Sequence, residues 1–342
     1  MSVFTTPTST LDTYWRSIIL FGRNVASYKF ALAQSLIELS KQRKSLIKLD
    51  ELAEPFSKYV INHLRENKKQ GTFSSSRFLT SCQKYIDGGI NHDELIAKTV
   101  ELGFVNVIDA FHVVNQGEIP RRFFIDQRKQ GNSIQLTDDL FSLIETFQAI
   151  NLPSETEARW KLVETAWSLN ISPSLLVVKF DSNAQNLFIE EREIRQTVTS
   201  CRDALNGYQK GKCFYCLHEI SILGSEETKG DVDHFFPNTL KQVFPADKIN
   251  LDGVWNLVLS CKNCNRGPKG KFARIPELNY LERLHTRNNY LIDSYHPLRE
   301  TLINQTGITP SARLDFLKDV DAKSIEILFH RWKPENELQE SF

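Results

Sequence analysis

The sequence predicts an α+β protein: a mostly helical N-terminal domain, a small strand–strand–helix domain that binds metal, and a helical C-terminal extension. Three observations predict this class. Apolar residues recur at helical spacing through most of the first 169 residues. Short β-type runs replace that pattern after about residue 170. Two Cys-x2-Cys pairs then follow, Cys213/Cys216 and Cys261/Cys264, at the spacing typical of zinc clamps.

The composition is that of an ordinary globular protein. The chain has 342 residues, 41% hydrophobic and 25% charged, and a formal net charge of zero, so the whole chain has no electrostatic attraction to nucleic acid. Only two of the six cysteines, Cys82 and Cys201, lie outside the pairs, which favours a reducing compartment. No basic leader and no apolar run of about 20 residues is present, so we expect a cytoplasmic protein without membrane contact.

The N-terminal domain is predicted to be helical because its apolar residues follow a period near 3.6. Residues 49–67 show this best, with one face formed by Leu52, Phe56, Val60, Ile61 and Leu64. A solvated connection is expected at 41–48, and a short strand in the RRFFID run at 121–126. Other helices are expected at 10–40, 76–86, 91–102, 137–150 and 155–169.

A domain boundary is predicted between about 170 and 210. A turn is expected at 170–173, because Pro173 disfavours helix before it. A hairpin of 174–180 with 186–189 and a helix over 190–205 should follow. The predicted domains are 1–170 (recognition or regulation), 171–210 (hairpin and helix connector), 211–275 (metal-binding domain) and 276–342 (C-terminal extension, with helices at 276–293 and 311–332).

The four paired cysteines predict a structural zinc site. Between Cys216 and Cys261 lie 44 residues, more than a simple zinc ribbon contains, so the metal must join the two ends of a folded excursion. Such a site contributes on the order of 10 kcal/mol of apparent binding free energy. The alternative is four buried thiols without metal.

The excursion contains the residues that can carry chemistry. Asp231-Val232-Asp233-His234 alternates like a strand, which places Asp231 and Asp233 on one face. A second strand is expected at 256–259, and after Cys264 the Asn265-Arg266-Gly267 run should open a helix. The predicted order is strand, loop, strand, zinc knuckle, helix.

Residues Cys213 to Lys271 resemble the HNH endonucleases, the zinc-containing branch of the ββα-metal (His-Me finger) nucleases. The resemblance lies in the Asp-His pair at 233–234, the middle Asn256 and the Asn265-Arg266-Gly267 run. The Asp-Val-Asp-His run and this second run also look like the HNH domain of RNA-guided CRISPR nucleases, which lack the cysteines. The third family position, usually His, is Asn265 here, a variant that the family also uses.

The resemblance implies roles for these residues. His234 would be the general base that activates water, and Asn256 would brace the loop and orient the His234 ring. Asp233 and Asn265 would hold one catalytic Mg2+ or Mn2+ through oxygen atoms. An imidazole suits the base because its ordinary pKa lies near neutral pH.

Each of these assignments has a plainer alternative. An isolated histidine is more often a satisfied core residue than a base, although Asp233 and the flanking cysteine pairs favour the catalytic role for His234. Asp231 is either a carboxylate that supports the site or a strand-entry residue. His218 is expected on the surface, because four thiolates already complete a zinc shell.

Local charge favours a nucleic-acid substrate. From Lys262 to Arg287 seven basic residues face two acidic ones, a net charge of +5 in a neutral chain. Arg266, Lys269 and Lys271 are the expected phosphate contacts. The alternative is a solvated helix face.

The sequence therefore predicts a one-metal HNH endonuclease that hydrolyses phosphodiester bonds in DNA, with RNA left open as substrate. The overall layout is similar to that of HNH proteins of bacterial anti-phage defence, among them the nuclease of the Zorya type. The alternatives are a non-catalytic, zinc-dependent nucleic-acid-binding protein, and an effector nuclease that a protein partner activates through the helical N-terminal domain.

Overall fold

The computed structural model mixes helices with short strands, which makes the chain α+β. The described residues form two compact units, called here the N-terminal unit (Ser9–Ile171) and the C-terminal unit (Ser172–Phe342). The described residues are 10–21, 25–73, 75–114, 117–169, 178–181, 183–191, 194–223, 225, 227–244, 249–293 and 298–338.

The N-terminal unit consists mainly of helices, as its sequence period predicts. Its helices are α1 (Leu11–Phe21), α2 (Tyr28–Ser40), α3 (Leu49–Glu66), α4 (Arg77–Ile86), α5 (His92–Lys98), α6 (Val107–Ala110), α7 (Arg128–Gly131), α8 (Asp138–Ile144) and α9 (Leu152–Ser168). A π-helical turn at Thr99–Gly103 extends α5, and a 3-10 turn at Phe147–Ile150 precedes α9. No helix in the part of the chain that the structure describes is both long and apolar enough to cross a bilayer.

Short strands complete the N-terminal unit. Strands β1 (Leu46–Lys48), β5 (Ser133–Leu136) and β4 (Phe124–Gln127) form an antiparallel sheet in that order, and β2 (Val113–Val114) pairs with β3 (Gly117–Glu118). Strand β4 confirms the short strand predicted at 121–126. The predicted connection at 41–48 instead ends in β1, because Ile47 is buried where β1 pairs with β5.

Helix α2 is the centre of the N-terminal unit. It is apolar on nearly every side, with Phe30, Leu32 and Leu36 fully buried, and it packs against α3 and α9. Trp160 of α9 stacks on Phe30 with ring centroids 5.8 Å apart. The five apolar residues predicted to share one face of α3 all lie in this core.

His63 of α3 should make the stability of the N-terminal unit depend on pH. Its ring stacks on Trp160, and its nitrogens contact Glu164 at 2.9 Å and Glu157 at 3.1 Å. Burial opposes protonation, but the hydrogen bonds to the two carboxylates outweigh it and raise the pKa of His63 to about 9. Because the folded-state pKa exceeds the ordinary value of about 6.5, the stabilisation is complete below pH 6.5 and is lost as pH rises towards 9.

When the pH rises from 6.5 to 9, we expect the unfolding free energy of the wild type to fall by on the order of 2 kcal/mol more than that of His63→Gln. Urea unfolding of both proteins, followed by tryptophan fluorescence, measures this difference. His92→Gln is the matched control, because the His92 side chain is 52% exposed. A difference that stays constant across this pH range would contradict the role given to His63.

The C-terminal unit contains the cysteine pairs. Its helices are α10 (Cys201–Gln209), α11 (Lys262–Arg266), α12 (Leu278–Asp293), α13 (Arg299–Thr306) and α14 (Pro310–Leu328). Its strands are β6 (Lys179–Asp181), β7 (Asn186–Glu191), β8 (Ile194–Ser200), β9 (Asp231–His234), β10 (Leu257–Ser260), β11 (Ile275–Pro276) and β12 (Arg331–Trp332). Strands β6–β7–β8 form an antiparallel sheet, β9 pairs antiparallel with β10, and β11 pairs parallel with β12.

The connector differs from its prediction. Strands β6 and β7 confirm the predicted hairpin where it is described, whereas residues 174–177 and the turn at 170–173 lie outside the described residues. A helix was expected over 190–205, but β8 occupies its first part and α10 begins only at Cys201. The β-branched run Thr197-Val198-Thr199 favours a strand, and Thr197 and Thr199 pair with Phe188 and Leu187 of β7. Near the C-terminus, α13 was not predicted, and α14 ends at Leu328 rather than at Trp332.

Helix α12 supports the loops around the cysteine pairs. The Arg283 guanidinium donates to the carbonyls of Phe214 and Tyr215 at 2.8 and 3.0 Å. One turn further on, Arg287 and Asn288 both donate to the Trp255 carbonyl at 3.2 Å. The same buried helix therefore fixes the first cysteine loop and the chain just before β10.

Candidate metal centre and acid–histidine site

The four paired cysteines converge on one point. Their sulfur atoms all lie within 4.8 Å of one another, and the sulfurs of Cys216 and Cys261 are 3.7 Å apart. A tetrahedral zinc with Zn–S bonds of about 2.3 Å requires sulfurs about 3.8 Å apart. The four cysteines can therefore bind a metal such as zinc, as the spacing of the pairs predicted.

Backbone hydrogen bonds shape both cysteine loops. In the first loop, the Cys213 amide donates to the His218 carbonyl at 2.8 Å, and Leu217 adopts a positive φ of 64° that turns the chain back. In the second, Cys261 is the N-cap of α11, and its sulfur accepts the Cys264 amide at 3.4 Å. These local turns bring the two sulfurs of each pair to the same side.

Strand β10 joins the two loops. The amide of Phe214, inside the first loop, donates to the Leu259 carbonyl at 2.9 Å, only two residues before Cys261. The fully buried Gln209 side chain donates to the same carbonyl at 2.9 Å and accepts the Leu259 amide at 2.8 Å. The cluster is therefore held by the protein frame as well as by any metal.

The thiols of the cluster do not titrate alike. Burial raises the pKa of Cys213, whereas hydrogen bonding with Cys213 lowers the pKa of Cys216, and lowers that of Cys261 to about 7. Closely packed sulfurs thus favour thiolate at some positions at the expense of others. A bound cation would stabilise thiolate at all four.

Strands β9 and β10 carry the acidic residues and the histidine. Asp231 lies opposite Ser260, Asp233 opposite Val258 and His234 opposite Leu257. Residues 231 and 233 share one face of β9, as predicted. Helix α11 begins immediately after Cys261, so the observed order is strand, strand, helix.

Asp233 lies in a nearly closed pocket and already has two partners. It is 7% exposed; its Oδ2 accepts the Tyr215 hydroxyl at 2.7 Å, and its Oδ1 lies 3.3 Å from the Lys271 ammonium. Burial raises the pKa of Asp233 and lowers that of Lys271, although each group opposes the shift of the other. The negative charge of Asp233 is therefore compensated inside the protein.

Lys271 differs from its prediction as a phosphate contact. Its side chain is fully buried, and its ammonium also donates to the His234 carbonyl at 2.9 Å and to the Phe272 carbonyl at 3.3 Å. A group without solvent exposure cannot meet a phosphate at the surface. Lys271 instead fixes the end of β9 to the turn that follows α11.

The His234 ring is oriented by Asp252, which sequence reasoning missed. The distance between His234 Nε2 and Asp252 Oδ1 is 2.9 Å, and the same carboxylate oxygen lies 2.7 Å from the Lys241 ammonium. Burial opposes ionisation of Asp252, but hydrogen bonds from His234 and Lys241 outweigh it and lower its pKa. An ionised carboxylate only accepts hydrogen bonds, so the Nε2–H of His234 is the donor in this contact.

Asn256 braces the loop after β9. It is fully buried; its Oδ1 accepts the Phe236 amide at 2.8 Å, and its Nδ2 donates to the carbonyls of Phe236 and Leu251 at 3.0 and 2.8 Å. Asp252 follows Leu251 directly. Asn256 therefore fixes the end of β9 to the loop that carries Asp252.

Asn265 and Arg266 both contact Asp231. The Asn265 amide donates to Asp231 Oδ2 at 3.1 Å, and Arg266 Nε lies 3.1 Å from the same oxygen. The prediction paired Asn265 with Asp233, which is the next residue on the same face of β9. The contact that the structure shows for Asn265 is therefore with Asp231.

The predicted basic stretch is only partly at the surface. Arg287 is fully buried, and the Arg283 side chain is 11% exposed and bonded to backbone carbonyls. Lys269 is exposed and pairs with Glu335. The exposed cations nearest Asn265 in sequence are Lys262 and Arg266. The net charge counted along the sequence therefore overstates the positive surface.

No protein-family model, curated protein or solved structure matches this chain.

Proposed function

We propose that this chain is a metal-dependent endonuclease of the HNH type that hydrolyses phosphodiester bonds in DNA. The observation that carries the proposal is the oriented His234. Its ring is bonded to an ionised carboxylate at the end of a strand–strand–helix unit whose helix begins inside a four-cysteine cluster. A carboxylate that fixes the ring and leaves the second ring nitrogen free of that contact is the arrangement that a general base uses.

The chain's own groups suit proton transfer from water. With Nε2–H donated to Asp252, the Nδ1 lone pair of His234 can take the proton of an attacking water molecule. Asp252 then stabilises the imidazolium that forms. Asn256 and Lys271 hold the two chain segments that carry this pair, so the geometry is set before substrate arrives.

The resemblance further implies a divalent cation, which Asp233 and Asn265 would hold. When bound, Mg2+ or Mn2+ would stabilise the negative charge that develops on the phosphate and on the leaving 3′ oxygen. Among the chain's own groups, the exposed Arg266 beside Asp231 is the proposed phosphate contact. Lys269 can join it if its pairing with Glu335 opens.

The N-terminal unit is proposed to recognise the substrate or a protein partner. A role in bacterial anti-phage defence is also a proposal, and it rests on similarity of layout alone.

Purified full-length protein tests the activity. Supercoiled plasmid, single-stranded DNA and RNA are incubated with Mg2+, Mn2+ or EDTA. We expect nicked or linear DNA with the divalent ions and none with EDTA. Intact substrates under every metal condition would contradict the endonuclease assignment.

Asp252→Asn tests how much the carboxylate that orients His234 contributes to catalysis. An amide cannot stabilise the imidazolium as an ionised carboxylate does, so we expect kcat to fall roughly 10- to 100-fold with little change in KM. Asp315→Asn, at an exposed position of α14, is the matched control and should cleave normally. Equal kcat for the two variants would remove Asp252 from the mechanism.

A second candidate function is a zinc-dependent nucleic-acid-binding protein without catalysis. The observation in its favour is Asp233, whose charge is compensated by Tyr215 and Lys271 without a divalent cation. Tight DNA binding without cleavage, and unchanged by added Mg2+ or Mn2+, would select this function.

A further inference from the structure

We propose that Phe272 forms a stacking subsite for an unpaired nucleobase beside the scissile phosphate. This inference rests on the proposed function. It defines the substrate class as nucleic acid with at least one unstacked nucleotide at the cleavage site.

Phe272 combines two properties that are costly for a large apolar residue. Phe272 is 55% exposed to solvent. Among the described residues, its ring packs against no other aromatic ring. Its backbone has a φ of 48°, in the left-handed region that disfavours bulky side chains. Exposure alone is common on protein surfaces, but a strained backbone at an exposed ring away from a helix end is a feature that occurs at functional sites.

The turn that presents Phe272 is fixed on both sides. The Phe272 amide donates to the Asn265 carbonyl at 3.0 Å, and the buried Lys271 ammonium donates to the Phe272 carbonyl at 3.3 Å. The turn also needs glycine at two positions. A Cβ on Gly267 would lie 2.7 Å from the Asn263 carbonyl oxygen, and one on Gly270 would lie 2.8 Å from the Gly267 nitrogen. The ring is thus displayed by a rigid loop.

The position of this loop favours a nucleobase over other occupants. Phe272 is bonded through its backbone to Asn265, a proposed cation ligand, and it follows Lys271, which contacts Asp233. Lys269 is an exposed cation on the same loop, and the exposed Lys262 and Arg266 lie on α11, which precedes the loop. An aromatic ring beside cations is the combination that proteins use to hold single strands, with the cations on phosphates and a base on the ring.

The substrate class follows from the geometry of stacking. Bases of a regular duplex are already stacked on one another, so a ring must first unstack a base step there, whereas an unpaired or displaced base stacks on it without that cost. Phe272 should therefore favour single-stranded, gapped or mismatched DNA over perfect duplex.

Phe329 provides a matched control. It is 75% exposed and has a φ of 58°, but it is the C-cap residue of α14, a position where the left-handed conformation is common. Phe329→Ala removes a still more exposed ring whose backbone is not part of the turn from Gly267 to Phe272.

The test uses full-length protein carrying His234→Gln, so that binding is measured without cleavage. Fluorescence anisotropy gives the affinity for single-stranded and perfect-duplex oligonucleotides, and 2-aminopurine placed at successive positions reports stacking. We expect Phe272→Ala to weaken single-strand binding roughly 5- to 100-fold and to abolish quenching at one position. Phe272→Trp should restore both, Phe329→Ala should change neither, and duplex binding should change little.

Other outcomes overturn the subsite. Equal single-strand binding by Phe272→Ala and its parent, or an equal loss on single strands and duplex, would show that the ring holds no base. Absence of any oligonucleotide binding, or a change in oligomeric mass on Phe272→Ala, would assign the ring to a protein contact. Because binding is measured without cleavage, quenching that depends on Phe272 in a protein that never cleaves would sustain the subsite and refute only the endonuclease.

Discussion

Serine in place of Cys264 will abolish zinc binding and unfold the segment around the cysteine pairs. The wild type should contain about one zinc per chain, because the four sulfurs converge at the spacing of a tetrahedral site. Zinc sites of this kind contribute on the order of 10 kcal/mol, more than a strand pair of four residues and a one-turn helix can replace. Elemental analysis measures the loss of metal, and amide hydrogen exchange measures the loss of protection in β9 and β10.

The other cysteines provide the control for this prediction. Cys82 and Cys201 are buried but lie outside the cluster, so Cys82→Ala and Cys201→Ala should keep full zinc content. Protection in β9 and β10 should survive both changes. A wild type without zinc, together with full protection of β9 and β10 in Cys264→Ser, would show that the cluster is four unmetallated thiols.

Removal of the His234 imidazole is the change with the largest expected effect on activity. General acid–base groups contribute about 10²- to 10⁴-fold to rates, so His234→Ala should lower the cleavage rate by that factor. The zinc content should stay at the wild-type level, because the imidazole is bonded to Asp252 and not to the cluster. Single-turnover cleavage of a labelled oligonucleotide measures the rate.

His218→Ala is the matched control, because His218 is exposed and lies next to the first cysteine loop. It should cleave at the wild-type rate. Loss of activity in both histidine variants would not identify His234 as the base. The metal content of each sample would then show whether the two proteins had lost their zinc.

Features that depend on local spacing were predictable from the sequence. The apolar face of α3 follows from a period near 3.6, and the alternation of Asp231 and Asp233 follows from a period of two. The cysteine cluster follows from two pairs at ligand spacing. The two periodic features depend on neighbours within a few residues. The cluster joins pairs that lie 44 residues apart, but the ligand spacing within each pair is local.

Features that depend on the tertiary fold were not predictable. Asp252 is 18 residues from His234, in a loop without any period, and only folding brings the two within 2.9 Å. The sequence does show a carboxylate a few residues before Asn256. A single acidic residue in a polar loop is common, however, so it does not by itself indicate a partner for His234. The strand β8 was missed because Glu190 to Leu205 has residues that suit a helix, and the pairing with β7 decides otherwise.

The burial of basic residues is a second feature that the sequence conceals. Counting charges between Lys262 and Arg287 treats each side chain as exposed. The structure instead places Lys271 against Asp233 and Arg287 against a backbone carbonyl. Charge density along a sequence is a surface property only if the side chains reach the surface, and that depends on the packing of α12 and of the turn after α11.

DNA cleavage that depends on a divalent metal, measured side by side for zinc-loaded wild type and zinc-loaded His234→Ala, is the decisive measurement. We expect cleavage with Mg2+ or Mn2+ by the wild type, and a rate at least about 100-fold lower for His234→Ala at equal zinc content. Equal rates for the two proteins would show that His234 is not the base of an HNH endonuclease.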